Sequence, residues 1–389
     1  MTENIGISSY CNIRGVTCYM NSILSILQQT PIFADYIVST NLQDKLYEKN
    51  QTTKKEDIES IFNETAVAKT QFSRLLLDQI KINDLDSCFN ETAITFQLYK
   101  LFKISMTHNN FKITPTSFRK TISMKNDMWG ENIHQDSQEF LTFLISSMEE
   151  EISDKVIFIP GMNFEGYINN IMPSYSLIQI IANKEWERNI KNEYSLIKTL
   201  FTGMTRMKTT CNYCMNESNS FEIFQTLQLS IPKNANTLED CMNNFIMDEI
   251  LDKDNMIRCN LCYYMNRSTK NTVIWKTPQI LIIHLKRFIV NQYGMPSQKI
   301  SKMILYPLIL DFSKYVDILS PDINNCKYSL FAVNCHYSLG HNNINSGHYI
   351  SYVKNRMNDS WYEFDDSNIK KITNIITDKA YMLFYMRIK

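Results

Sequence analysis

Apolar residues recur every three to four positions in the first part of the chain and nearly every second position in the last part. After Thr17, the positions Met20, Ile23, Leu24 and Leu27 share one face of a 3.6-residue repeat, which predicts a helix that Pro31 ends. Residues 135–150, QDSQEFLTFLISSMEE, put Phe140, Leu144 and Met148 on one face. Asp136 stands at the N-cap with Glu139 three residues on, the spacing of a capping box. Between these helices, residues 45–60, KLYEKNQTTKKEDIES, are charged and poor in large apolar side chains, the pattern of a solvated connection. Segment 65–105 alternates helical patterns with short polar breaks, and residues 155–200 follow no clear period. After Cys211 the texture changes. SFEIFQTLQLSI, PQILIIHLKRFIV, YSLFAVNCHY, HYISYV, WYEF and YMLFYMRI are rich in β-branched and aromatic residues and read as strands. Helices first and strands afterwards predict an α+β fold. The sequence shows no internal repeat and no extended low-complexity tract.

Charge narrows the range of partners. The 389 residues hold 40 Lys and Arg against 40 Asp and Glu, so nucleic acid and anionic membrane are disfavoured as main partners. The N-terminal stretch MTENIGISSYCNIRG lacks the basic-then-apolar pattern of a secretory signal. The most apolar run, ILIIHLKRFIV, is broken by His284, Lys286 and Arg287 and is too short to span a bilayer. The expectation is an intracellular, soluble protein, cytoplasmic or nuclear, whose thiols stay reduced. Its ten cysteines then need an explanation other than disulfides.

Four of them come as two C-x-x-C pairs, Cys211/Cys214 and Cys259/Cys262. Each short turn can present two thiolates to one metal ion, and four thiolates in a tetrahedron make a closed zinc site that holds structure and leaves no open position for chemistry. No thioredoxin-like βαβ pattern surrounds either pair. Cys88, Cys241, Cys326 and Cys335 lack paired spacing and read as fillers, while Cys11 is ambiguous. Cys18 differs from these, since it stands where the first amphipathic helix begins, and the free N–H groups and dipole of a helix start favour a thiolate.

A nucleophilic cysteine needs a base and a group that orients the base. Among six histidines, His108 lies in a polar connection, His134 precedes a helix cap and His284 sits inside an apolar strand. His348 follows NNINSG and opens the strand HYISYV, and WYEFDDS downstream ends a strand with Asp365 and Asp366. Two adjacent strands joined by a turn would set His348 beside one of these carboxylates.

Together, GVTCYMNS around Cys18, HQDSQEF at 134–140, SGHYISYV at 346–353 and WYEFDDS at 361–367 resemble the ubiquitin-specific proteases. LIKTLFTGMTRMKTTCNYC, PQILIIHLKRF and YPLILDFSKY, together with both C-x-x-C pairs, extend the resemblance over nearly the whole chain. It implies a single catalytic domain with a papain-like core: a thumb over about 1–155, zinc-ribbon fingers over 205–275 and a palm over 276–389. It also implies that ubiquitin rests on the fingers while its Gly-Gly tail enters a cleft. Cys18 then attacks the terminal glycine carbonyl, with His348 as general base and acid, Asp365 as its orienting partner and Asp366 assisting. Asp136 and Glu139 are expected near the mouth of the cleft against a basic tail, and Gly347 and Tyr349 beside the histidine as further substrate contacts. One structural zinc per chain is expected, no catalytic cofactor, and an unidentified targeting partner is allowed.

One position departs from the family pattern. The family carries an oxyanion-stabilising Asn five residues before the nucleophile and a Gly three before it. Gly15 matches, but Ile13 occupies the other position and Asn12 lies one residue further out. Either a bulge made possible by Gly15 brings the Asn12 NH₂ to the oxyanion, or backbone N–H groups serve alone. The alternative reading is a ubiquitin-binding scaffold with weakened catalysis.

Overall fold

Helix α1 (Cys18–Gln29) is buried along its entire length, so its neighbours surround it and its polar residues must find partners inside the protein. The structure, a computed structural model, describes residues 7–39, 42, 46, 93–107, 111–154, 174–191, 193–290, 296–338 and 347–388. Cys88, His108 and most of the expected solvated connection at 45–60 lie outside these residues. The fold is mixed α and β and divides into two units: Met1–Ile152 with Asn355–Lys370, and Ser153–Lys354 with Lys371–Lys389.

In the first unit, α1 ends where Thr30 N–H bonds the Leu27 carbonyl, and Pro31 at once opens α2 (Pro31–Ile37). A proline is well placed at the first helical position, where no intrahelical N–H bond is needed. It therefore ends one helix and starts the next. Then follow α3 (Ile94–Thr107), α4 (Thr116–Lys125) and α5 (Ser137–Ile152). Phe140, Leu144 and Met148 of α5 are fully buried, as their spacing predicts. Tyr19, Trp129 and Phe140 close a ring cluster with centroids 5.3–5.7 Å apart, which packs the start of α1 against α5. Each such buried aromatic or aliphatic side chain contributes about 1.5–3 kcal/mol. Glu151 near the end of α5 accepts the N–H groups of Ile94 and Thr95, both at 2.8 Å, and so caps α3 from a neighbouring helix.

The second unit opens with α6 (Ser174–Ile190) and α7 (Leu196–Phe201). Five of its strands pair side by side in the order Leu227–Ser230, Ile280–Lys286, Ala380–Arg387, Lys327–Ser338 and Gly347–Lys354. Ile309–Asp311 adds to Lys327–Ser338. Six residues of Ile280–Lys286 are buried, which explains its unbroken apolar run. A separate sheet runs Glu217–Phe224, Gly203–Cys211, Ser268–Lys276, Glu249–Leu251. Ala182 of α6 packs with Met204, Phe221 and Trp275 on this sheet. α8 (Leu238–Ile246) starts with a full capping box between Thr237 and Asp240, which reading the sequence passed over. Among the described residues, no helix is long and apolar enough to cross a membrane.

Candidate active site and metal centre

Cys18 is the first residue of α1 and only 1% exposed. The loop before it turns through two left-handed residues, Arg14 at φ 57° and Gly15 at φ 75°. Gly15 meets its left-handed dihedral at no steric cost. Thr17 does not cap α1 with its side chain. Its hydroxyl instead accepts Ile13 N–H at 2.8 Å and donates to Asn12 Oδ1 at 3.2 Å. Thr17 N–H donates to the same Asn12 oxygen at 2.9 Å, so the loop is tied to itself immediately before the cysteine.

The other end of the Asn12 amide reaches far along the chain. Asn12 Nδ2 donates to Asp366 Oδ2 at 2.8 Å, and Asn21 Nδ2 donates to Asp366 Oδ1 at 2.8 Å. Asn21 Nδ2 also lies 3.3 Å from the Tyr10 carbonyl. Asp366 sits at φ 49°, a left-handed position that Asp and Asn tolerate better than other side chains. Both carboxylate oxygens therefore accept from asparagines that flank Cys18 in sequence, and Asn12, Asn21 and Asp366 form one hydrogen-bonded constellation within the first unit. Asn21 escaped the sequence reading because its partner is more than 300 residues away. Asp365 ends the strand Trp361–Asp365 in the same unit.

Asp136 caps α5, its Oδ1 accepting the N–H groups of Gln138 at 2.7 Å and Glu139 at 3.1 Å. Glu139 is exposed. Partial desolvation of its carboxyl, and after it the neighbouring Asp136 carboxylate, raise the Glu139 pKa above the ordinary carboxyl value.

His348 belongs to the second unit, where it is half-buried near the start of Gly347–Lys354 and pairs in register with Tyr337. Gly347 lies against His336, and the Tyr349 ring, 5% exposed, sits 4.6 Å from the same imidazole. Gly347 and Tyr349, on either side of His348 in sequence, both contact His336. His284 is buried within its strand and meets Tyr381 edge-on at 4.6 Å, as a core histidine does.

The four paired cysteines converge in the second unit. Their sulfurs all lie within 4.8 Å of one another, with Cys214 to Cys259 at 3.6 Å and Cys211 to Cys262 at 4.0 Å. A tetrahedral ion at the usual metal–sulfur length of about 2.3 Å separates its sulfurs by about 3.8 Å, so the set fits a four-thiolate metal site. The two turns repeat one design. Met215 N–H bonds Cys211 O at 2.8 Å and Tyr263 N–H bonds Cys259 O at 2.9 Å, with Met215 at φ 59° and Tyr263 at φ 62°. The Cys259 thiol is pushed down to about 6, first by the backbone N–H of Cys262 and then by that of Leu261. Both N–H groups stabilise a thiolate, the form that binds metal.

The family model for ubiquitin carboxyl-terminal hydrolase matches residues 10–385. Ubiquitin carboxyl-terminal hydrolase 4 of Saccharomyces cerevisiae is 27% identical over 99% of this chain and 39% of its own length. A probable ubiquitin carboxyl-terminal hydrolase of Acanthamoeba polyphaga mimivirus is 29% identical over 98% of this chain and 90% of its own. The chain thus spans about two-fifths of the yeast relative. Among solved structures, the SAGA Ubp8/Sgf11/Sus1/Sgf73 DUB module bound to ubiquitin aldehyde superposes with a TM-score of 0.68 at 22% identity. That match covers 100% of this chain and 71% of the other.

Proposed function

The chain belongs to the ubiquitin carboxyl-terminal hydrolase family, and we propose that it is a thiol-dependent deubiquitinase that cleaves the bond after the C-terminal glycine of ubiquitin. The observation that carries this reading is the pair of 2.8 Å bonds from Asn12 and Asn21 to Asp366, which ties the sequence around Cys18 to the distant FDDS turn. A core thiol would not need two flanking asparagines held by one carboxylate.

In the proposed reaction Cys18, with its proton passed to His348, attacks the glycine carbonyl carbon. The oxygen takes up negative charge, the C–N bond breaks, and His348 returns the proton to the departing lysine amine. Water, activated by the same imidazole, then hydrolyses the thioester and frees ubiquitin. Asp365 orients His348. Asp366 acts through Asn12: with Oδ1 accepting from Thr17 and one N–H given to Asp366, the amide plane is fixed. Its second N–H is the donor proposed for the oxyanion, which offsets the presence of Ile13 at the family position. Asp136 and Glu139 suit a basic tail, and the segments 1–155, 205–275 and 276–389 act as thumb, fingers and palm around ubiquitin. The four cysteines hold one structural zinc, which stabilises their two turns and takes no part in the chemistry.

The test is hydrolysis of a fluorogenic ubiquitin C-terminal amide by wild type, Cys18→Ala and His348→Ala. Turnover by wild type alone, with ubiquitin binding retained in both variants, supports the reading. Ubiquitin binding without turnover by wild type would favour the scaffold, and turnover by Cys18→Ala would remove the nucleophile.

A further inference from the structure

On the face of the sheet opposite His348 lies a lysine–histidine pair that the proposed reaction does not use. Lys327–Ser338 and Gly347–Lys354 pair with Tyr337 opposite His348 and His336 opposite Tyr349. Side chains alternate along a strand, so His336 and His348 occupy opposite faces. The His336 ring is 5% exposed and rests directly on Gly347, the residue before His348. A Cβ on Gly347 would fall 2.5 Å from His336 Cε1 and 2.8 Å from the Tyr337 carbonyl oxygen, closer still to His336 Nε2. Only glycine fits there, with the imidazole on one side and the Tyr337 backbone carbonyl on the other.

Lys299 holds that imidazole. Its Nζ lies 2.7 Å from His336 Nδ1, 2.7 Å from His336 O and 3.1 Å from Ser338 Oγ. Three acceptors match the three protons of an ammonium group. An ammonium has no lone pair, so His336 Nδ1 must accept, which assigns the neutral ring with its proton on Nε2, on the Gly347 side. Phe288 closes the ring at 5.2 Å, and Tyr349 and Tyr381 at 4.6 and 6.2 Å. The charged surroundings are mostly cationic. Arg287 is fully buried on backbone carbonyls, and Lys379 is balanced by Asp378 at 2.6 Å. A protonated His336 would place a second cation 2.7 Å from Lys299 in this setting, which Coulomb repulsion opposes.

We infer that Lys299 and His336 form a positioning pair that keeps the His336 imidazole neutral and wedged against Gly347, and so fixes the backbone from which His348 projects. The inference rests on the reading of His348 as the general base. Desolvation, and behind it Arg287 and Lys379, bring Lys299 down to about 8, so its ammonium is present through neutral pH and is lost above that value. The lysine's ammonium, and with it the three-proton arrangement, is therefore present below about pH 8.

Nitrogen-detected NMR of ¹⁵N-histidine-labelled protein, assigned with His336→Gln, tests the pair independently of any activity. Wild type should show His336 as a non-titrating Nε2–H tautomer from about pH 5 to 8. In Lys299→Met, His336 should titrate near the ordinary imidazole value of about 6.5. With a ubiquitin C-terminal amide, Lys299→Met should lose about 10- to 100-fold in kcat with KM nearly unchanged, and the acid limb of its kcat profile should move to higher pH. Lys299→Arg, which keeps a cationic donor, should restore a neutral His336 and most of kcat. A wild-type His336 that titrates normally overturns the pair. A Lys299→Met protein that is folded, with kcat and its pH profile unchanged, overturns the coupling to His348. Wild-type protein with a neutral His336 and no turnover overturns the hydrolase reading instead, and the NMR arm tells these failures apart.

Discussion

Asp366→Asn separates the proposed arrangement of the nucleophile loop from its alternatives. The backbone at 366 is left-handed, with φ 49°, and Asn accepts that conformation as readily as Asp, so the change acts through the side chain alone. The carboxylate accepts Asn12 Nδ2 on one oxygen and Asn21 Nδ2 on the other, both at 2.8 Å. Hydrogen bonds to a charged group contribute about 1.5–3 kcal/mol each. An amide at 366 keeps one oxygen and turns an NH₂ group toward the other donor, so one bond is lost and the survivor is no longer charge-assisted. The first unit should lose roughly 2–3 kcal/mol of stability, read as a lowered urea midpoint. If the lost partner is Asn12, its amide plane is no longer fixed, and kcat should fall by about 10²–10³, the usual effect of removing one oxyanion donor. KM should barely move, because the contact belongs to the transition state. Asn21→Ala is the control: it removes an equal bond to Asp366 but spares Asn12, so stability falls and kcat falls much less. An Asp366→Asn protein with its urea midpoint unchanged and kcat within about twofold of wild type would refute the reasoning.

Other outcomes follow from the same geometry. Elemental analysis should find one zinc per chain, and Cys259→Ser should lower the melting temperature before it touches kcat on the surviving folded fraction; a metal-free, folded and fully active protein contradicts this. Asp365→Ala should cut kcat severely while leaving the urea midpoint closer to wild type than Asp366→Asn does; an Asp365→Ala enzyme with kcat near wild type would take the orienting role away from Asp365. At α8, Thr237→Ala should cost about 1 kcal/mol of stability by urea denaturation, since it removes one half of the capping box. Asp240 supplies the pH dependence of that cap: the N–H groups of Asn236 and Thr237 hold its carboxyl below the ordinary value. Its stabilisation is complete above the unfolded carboxyl value near 4 and disappears as pH falls through the lower, folded one. Asp240→Asn should accordingly flatten the acid limb of the stability curve, and an unchanged limb counts against the cap.

The parts of this molecule that were legible in sequence are those whose cause is local. The α1 spacing, the buried Phe140–Leu144–Met148 face and the buried strand ILIIHLK carry their own periodicity, and two C-x-x-C turns carry their own ligand geometry. What stayed hidden depends on partners distant in the chain. Asn21 looks like an ordinary polar residue of a helix until Asp366 is seen to accept from it. Nothing local to Gly347 announces that its lack of a side chain is required by His336 and the Tyr337 carbonyl on the neighbouring strand. Thr17, directly before α1, gives its hydroxyl to Asn12 and Ile13 and not to the helix. Met215 and Tyr263 adopt left-handed dihedrals that neither residue type announces, because the cysteine turns impose them. Pro31 marked the end of one helix correctly and concealed the start of another.

The central claim is that Cys18 is a nucleophile directed at the C-terminus of ubiquitin. It is tested most directly by incubating the protein with ubiquitin carrying an electrophile at its C-terminus and mapping the adduct by peptide mass spectrometry. A single covalent adduct on Cys18, absent in Cys18→Ala and strongly slowed in His348→Ala, is the predicted result. No adduct on folded, zinc-loaded protein, or an adduct on Cys11 with Cys18 unmodified, would contradict it.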